Sequence, residues 1–274
     1  MRVHVSHLAA GMLALLMLAA VPPPPASAED EGLALASIFK QQVARRFNVP
    51  LEEQRHYASL LDSALQHAGI ERLPPEYIVL VDRNPRVQAA MIFWKSSAGE
   101  FEFIGATAVS TGLPGKYEHF ETPVGVYDHV LDNPDFRSEG TLNEFGIRGY
   151  GATGQRIFDF GWVTTAKGWG DHGVSQMRLQ LHATDPDILE PRLGSAQSKG
   201  CIRTNASFNT FVDRYGVLDA HYDQAMTKGQ NFWVLSPERK PTPWSGRYLV
   251  IVDSERRARP AWARTSTSEP RKRN

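Results

Sequence analysis

Met177-Arg178-Leu179-Gln180-Leu181-His182 alternates apolar with polar side chains, the period-two pattern of a β-strand with one buried face and one polar face. Met177, Leu179 and Leu181 share one face; Arg178, Gln180 and His182 share the other. A strand end holds an imidazole more firmly than a loop does, so His182 is placed where a general base can be fixed. Upstream, segments 77–81, 87–94 and 101–110 are β-rich and are separated by Asn84-Pro85 and by 96–99, which reads as hairpin-connected strands. Further short strands are expected at 125–130, 156–160, 232–235 and 247–252, with Gly- and Pro-containing loops between them. The sum is a mainly β domain, a sandwich or barrel with a few helices.

Leu35, Ile38, Phe39 and Val43 keep a helical spacing, and Phe47-Asn48-Val49-Pro50 interrupts it. Tyr57, Leu60, Leu61, Ala64, Leu65 and Ala68 then form one face of a second helix that Gly69 ends. These predict an N-terminal helical hairpin over 29–72, ahead of a β domain over 75–236 and a strand extension over 237–254. Phe208, Phe211, Val212 and Tyr215 mark another helix, capped by Thr204 or Asn205 and ended by Gly216. That reading sets Cys201 just ahead of a helix N-terminus.

Residues 1–28 read as an export signal: Arg2 at the start, an apolar stretch over 8–21, and Ala26-Ser27-Ala28 as a small-residue cleavage site. The apolar stretch is shorter than the roughly 20 residues of a bilayer span, so no integral membrane segment is expected after cleavage. Thirty basic residues balance thirty acidic ones, which excludes the strongly basic body of a general nucleic-acid binder. From Glu255 onward seven basic residues face only Glu255 and Glu269, a composition that predicts a disordered basic tail over 255–274.

Cys201 is the only cysteine in 274 residues, so an exported chain has no internal disulfide to form and its single thiol calls for another use. It sits in Ser198-Lys199-Gly200-Cys201-Ile202-Arg203, nineteen residues after His182. Only a thiolate attacks carbonyls well. Lys199, Arg203 and the following helix are expected to lower the thiol's pKa, with His182 as its base and the amides of Gly200 and Cys201 as oxyanion donors. The hydrophilic neighbours of Cys201 argue against core burial.

His182 together with Ser198-Lys199-Gly200-Cys201-Ile202-Arg203 resembles the signature of the L,D-transpeptidase (YkuD-type) catalytic domain, a histidine followed downstream by Ser/Thr-His-Gly-Cys-apolar-Arg/Asn. Val109-Ser110-Thr111-Gly112 and Glu121-Thr122-Pro123-Val124-Gly125-Val126-Tyr127 resemble that family's upstream segment, so the likeness runs over about 77–235. Three features depart from the pattern: Ala183 stands for the usual glycine, Lys199 for the frequent second histidine, and the loop over 184–197 is longer. The segment 132–173, rich in Gly and Trp, has no counterpart and is expected to form a lid or substrate wall.

The resemblance implies a β-sandwich or barrel catalytic domain in the cell envelope or periplasm that acts on peptidoglycan stem peptides. Cys201 would form a thioester with a tetrapeptide stem, release D-alanine, and pass the acyl group to a diaminopimelate amine, a protein lysine or water, with His182 moving protons. Ser198, Lys199, Gly200, Ile202 and Arg203 would position substrate or loop. No metal or other cofactor is expected; His119, Asp171 and His172 lack zinc-type spacing. A hydrolase and a non-catalytic wall-binding domain are the alternative readings. Oligomeric state is left open.

Overall fold

The computed structural model describes residues 28–265. The expected export signal lies outside the described residues apart from Ala28, and so does the basic tail from 266 onward. In chain order the elements are α1 (Ala28–Gln42), α2 (Leu51–His67), β1 (Glu76–Asp82), β2 (Ala89–Lys95), β3 (Phe101–Ala108), β4 (Gly125–Asp128), β5 (Phe136–Arg137), β6 (Arg156–Ala166), β7 (Val174–Ala183), β8 (Ile202–Thr204), α3 (Ala206–Tyr215), α4 (Ala220–Thr227) and β9 (Tyr248–Val252). They form a mixed α/β molecule around two sheets, ordered β3-β2-β1-β9-β4 and β5-β6-β7-β8.

The continuous apolar run Tyr77-Ile78-Val79-Leu80-Val81 buries every residue of β1, so both faces of its sheet need cover. Tyr77, Val79 and Val81 join Leu249 and Ile251 of β9 on the face that meets Phe158, Leu179, Leu181 and Ile202 of the second sheet. Ile78, Leu80 and Val250 point the other way, onto Tyr57, Leu61 and Leu65 of α2. Burial of each large side chain stabilises by about 1.5–3 kcal/mol. The third face, the outside of the four-stranded sheet, carries the polar residues of β6, β7 and β8.

Two amphipathic helices do form at the N-terminus, but they are not a hairpin. Leu35 and Phe39 of α1, with Val43 just past its end, enter the core between the sheets, while α2 covers the opposite face of the five-stranded sheet. The connector crosses at the sheet edge, where Arg46 bridges Thr107 and the Phe47 N–H donates to the Ala106 carbonyl. Each helix has one apolar stripe, and a sheet buried on both faces offers each stripe more apolar surface than the other helix would. Gly105 permits the close fit of α1: a Cβ there would lie 2.2 Å from the Phe39 ring.

Several other expectations are corrected. β9 is no extension: it is an inner strand, parallel to β1 with Val79 opposite Leu249 and antiparallel to β4. Residues 232–235 form a turn instead of a strand. Over 255–265 the tail is packed, because Trp262 stacks edge-on against Phe47 and Tyr57, and Arg259 donates to the carbonyls of Pro85, Val87, Gly194 and Ala263. Within 132–173, β5 and β6 belong to the second sheet, while the loop between them carries Tyr150 over His182.

Buried charge ties the loops to the sheets. Arg156 is fully buried and meets Asp135 at 2.7 Å, Asp219 at 2.8 Å and Asp213 at 3.3 Å. Both ring nitrogens of the buried His129 face acceptors, the Leu218 carbonyl at 2.8 Å and Asp135 at 2.7 Å. Burial opposes a charge on that ring, but the Asp135 carboxylate outweighs it and holds the pKa above its usual value.

Glu76 is the buried acid left short of partners. One of its carboxylate oxygens has no hydrogen bond, and burial pushes its pKa to about 7 against the pull of Arg247. The folded pKa exceeds the unfolded one, so the favourable contribution is complete below pH 4.5 and is lost as pH rises through about 7. Glu76→Gln is therefore expected to match the wild type near pH 4 and to gain up to about 3 kcal/mol at pH 9, read from urea unfolding at both pH values.

Candidate active site

β7 and β8 run parallel with His182 opposite Arg203 and Leu181 opposite Ile202. Leu181 and Ile202 fall into the core, so Gln180, His182 and Arg203 take the polar face. Cys201 directly precedes β8, and its sulfur lies against the β7 backbone. The thiol donates to the Arg178 carbonyl at 3.5 Å, and the Gln180 N–H donates to the sulfur. β7 thus carries both the contact points of the sulfur and the imidazole that follows them.

The turn before Cys201 is fixed from within and from a neighbouring loop. Ser198 Oγ donates to the Cys201 carbonyl and accepts from the Gly200 N–H at 3.0 Å. Thr122 Oγ1 donates to the Gly200 carbonyl at 2.6 Å and accepts from the Gly112 N–H at 2.8 Å. The Phe120 N–H donates to the Lys199 carbonyl at 3.1 Å, and the Leu113 N–H to that of Ser198 at 3.0 Å. Gly200 adopts φ +131°, and a Cβ there would lie 2.6 Å from Met177 Sδ.

Across the polar face, Asp159 of β6 accepts from Arg178 Nε at 2.7 Å and Gln180 Nε2 at 2.8 Å. Gln180 Oε1 accepts from the Tyr150 hydroxyl at 3.0 Å, and the Tyr150 ring stands edge-on to His182 with centroids 4.7 Å apart. This cover buries the imidazole, 4 % exposed, although it sits on the polar side of its strand.

His182 Nδ1 contacts the Ala183 carbonyl at 2.6 Å. A carbonyl only accepts, so Nδ1 carries the proton and Nε2 is the basic nitrogen of the neutral ring. Burial, aided by the Arg203 charge, pushes the His182 pKa down to about 4 against the Ala183 hydrogen bond. Burial likewise pushes the Cys201 thiol up to about 11, against the lowering pull of the Gln180 N–H and Arg203. At neutral pH the site therefore holds a neutral thiol and a neutral imidazole, with no hydrogen bond between them.

That state corrects the expected thiolate. Lys199 turns away to Glu118, with Nζ 2.8 Å from the carboxylate, both ends exposed. β8 separates Cys201 from α3, whose N-cap is Asn205, so the helix end does not adjoin the sulfur. The Gly200 N–H is taken by Ser198 and is not free for an oxyanion. Ile202 is fully buried in the core, a place from which it can position the strand but not face solvent. Cys201 itself is half-buried and packs against that core, despite its hydrophilic sequence neighbours.

Sequence reasoning overlooked Tyr150, Asp159 and Thr122 as site residues. Thr122 had a signal, since it lies in the Glu121-Thr122-Pro123 segment; Tyr150 had none, being one aromatic in a glycine-rich loop. Among the described residues no three His, Cys, Asp or Glu side chains group as a metal ion requires, and no helix is long and apolar enough to cross a membrane. The larger grooves, about 710 and 510 Å³, run along β3 beside α2 and α1, away from Cys201; a cavity of about 200 Å³ opens beside Tyr150. Chemistry, rather than groove size, singles out the Cys201 region.

No protein-family model matches the chain, and no curated protein matches it.

Two measurements probe this geometry. Iodoacetamide alkylation of Cys201, followed by mass, should be slow at pH 7 and rise roughly tenfold per pH unit toward pH 10; a plateau near neutrality would show a preformed thiolate instead. Gly200→Ala imposes the strained φ on a residue with a Cβ, so it should cost about 1–3 kcal/mol in urea unfolding and slow Cys201 acylation by displacing the turn.

Proposed function

We propose that this chain is an exported L,D-transpeptidase-type acyltransferase, with Cys201 as nucleophile and His182 as base, acting on tetrapeptide stems of peptidoglycan. The observation that carries the reading is the tautomer of His182: its Nδ1–H is held by the Ala183 carbonyl, which leaves Nε2 as a proton acceptor on the strand that contacts the chain's only thiol. The motif around Cys201 and the Thr122 segment support it, since the residues that resemble the family are packed together by the Thr122–Gly200 hydrogen bond. The apolar stretch and small-residue site within residues 1–28 support export.

The reaction runs through two acyl transfers. Sγ attacks the stem's penultimate carbonyl while the thiol proton passes to Nε2, so charge separates only as the S–C bond forms. Collapse breaks the C–N bond, and the imidazolium returns the proton to the departing D-alanine amine. An acceptor amine then attacks the thioester, gives its proton to Nε2, and releases the thiol with a new amide bond. A neutral resting pair suits this sequence: the proton moves in the transition state, and the thiol is protected from oxidation between turnovers.

The test is intact-mass analysis of the mature protein with a tetrapeptide donor. The expected result is a Cys201 acyl adduct with release of D-alanine, absent in Cys201→Ala and lowered at least about a hundredfold in His182→Ala. Joined stems in the product mixture mark transfer to an amine, whereas free tripeptide alone marks hydrolysis. Binding to sacculi with neither adduct nor D-alanine would overturn the catalytic reading.

A further inference from the structure

Trp162 lies within β6 and is 63 % exposed, whereas Trp94 is fully buried, Trp169 packs on Phe120 and Tyr117, and Trp262 packs on Phe47 and Tyr57. A bulge puts the indole there. Asp159 pairs with Gln180 and Trp162 with Arg178, so β6 advances by three residues where β7 moves by two. Gly161 takes φ +82° inside the bulge, and its N–H donates to Asp159 Oδ1 at 2.8 Å. A regular strand would set Trp162 opposite Met177 on the buried side; the extra residue turns it to the polar face instead.

The surroundings of the indole are polar and ordered. The Arg178 guanidinium lies 5.9 Å from its ring centroid, with Nε fixed to Asp159 at 2.7 Å. Two residues along the same face, Thr164 stands opposite Gln176, and both are exposed. Among the described residues neither of these two side chains makes a hydrogen bond. One aromatic ring among polar side chains offers far less apolar area than the centre of a protein interface. It suits a neutral, hydroxylated ring: the C–H groups of a pyranose stack on the negative π face, and its hydroxyl and N-acetyl groups take the free amide and hydroxyl alongside.

We propose that Trp162, with Thr164 and Gln176 beside it, is a glycan-binding platform that holds the sugar to which the donor stem is attached. This rests on the acyl-transfer reading of Cys201. Leu181 lies opposite Ile202, which brings Cys201 beside Gln180 on one side of β7, while Trp162 is opposite Arg178 on the other. Two strand spacings and an offset of two residues place the Cα atoms of Trp162 and Cys201 about 12 Å apart. Three residues of extended peptide span about 10–11 Å, which is the stretch of stem between the sugar and the carbonyl that the sulfur attacks. The stem therefore crosses β7 with that carbonyl at Sγ and its sugar on the indole. The substrate class is a stem still joined to its glycan, taken in preference to the free peptide.

The experiment reads the rate of Cys201 adduct formation by intact mass on the full mature protein, with a free tetrapeptide and with the same tetrapeptide carried on its N-acetylglucosaminyl-N-acetylmuramoyl disaccharide, both below saturation. Wild type should favour the disaccharide donor at least about fivefold. Trp162→Ala should bring the ratio to within about twofold, the loss falling on the disaccharide donor, while Trp162→Phe keeps part of the preference and Gln176→Ala reduces it. Thermal melts and iodoacetamide alkylation check that each variant is folded with its thiol in place. Equal rates for the two donors in wild type, an unchanged ratio in Trp162→Ala, or equal slowing of both donors overturns the platform and leaves the Cys201 chemistry standing. No adduct from either donor in wild type overturns the acyl-transfer reading, and an NMR titration with glycan chains stripped of their stems then decides the platform. A shift of the Trp162 indole N–H signal, assigned by its absence from Trp162→Phe, supports it; an unmoved signal overturns it.

Discussion

Arg156 carries a full charge into the interior, and the polar face above depends on how that charge is satisfied. Its guanidinium is completely enclosed and is held by Asp135, Asp213 and Asp219, which come from three separate stretches of chain. Removing one partner from such a cluster typically costs about 3–5 kcal/mol, because the remaining charge stays buried. Asp135 also accepts from the Asp159 backbone N–H at 2.9 Å, and Asp159 anchors Arg178 and Gln180 on β7. Gln180 receives Tyr150, and Tyr150 covers His182. The imidazole's surroundings are therefore the last links of a hydrogen-bonded path that begins in a buried ion cluster.

The same path explains the charge state of the site. Tyr150 and its loop exclude water from His182, and desolvation lowers the imidazole's basicity as it raises the thiol's pKa. A preformed ion pair would need stronger compensation than Arg203 and the Gln180 N–H supply. On the proposed acyl-transfer reading the two groups would therefore act in concert, the proton moving only with the substrate carbonyl in place. Lys199 takes no part in this balance because its ammonium is engaged at the surface.

Legibility in the sequence followed physical range. Period-two alternation over 177–182 and the apolar run of β1 located strands directly, because side-chain period is a local property. Thr204 or Asn205 and Gly216 bracketed α3: of the two candidates it is Asn205 that accepts from the Phe208 N–H at its start, and Gly216 takes the left-handed conformation at its end. The N-terminal helices were visible as helices, but their partners were not, since only the three-dimensional sheet offers a second face. The tail at 255–265 was misread for the same reason: its composition is that of a solvated segment, whereas its structure comes from Trp262 and Arg259 reaching distant backbone. At the candidate site Cys201 and His182 were singled out by residue type and spacing, while Tyr150, Asp159 and the thiol's burial depended on contacts more than twenty residues away in the chain.

The contrast between Arg156 and Arg203 shows how the fold divides its arginines. Both are drawn from water by the same four-stranded sheet, Arg156 at the start of β6 on the inner side of the loops and Arg203 in β8 beside the thiol. Three acids neutralise the first, and the chain could have placed an acid opposite the second as cheaply, since Glu118 and Glu121 are carried on the adjoining loop. Instead Glu118 meets Lys199 and Glu121 meets Arg83. The loop that supplies Thr122 to the cysteine turn thus directs its carboxylates outward and its imidazole inward.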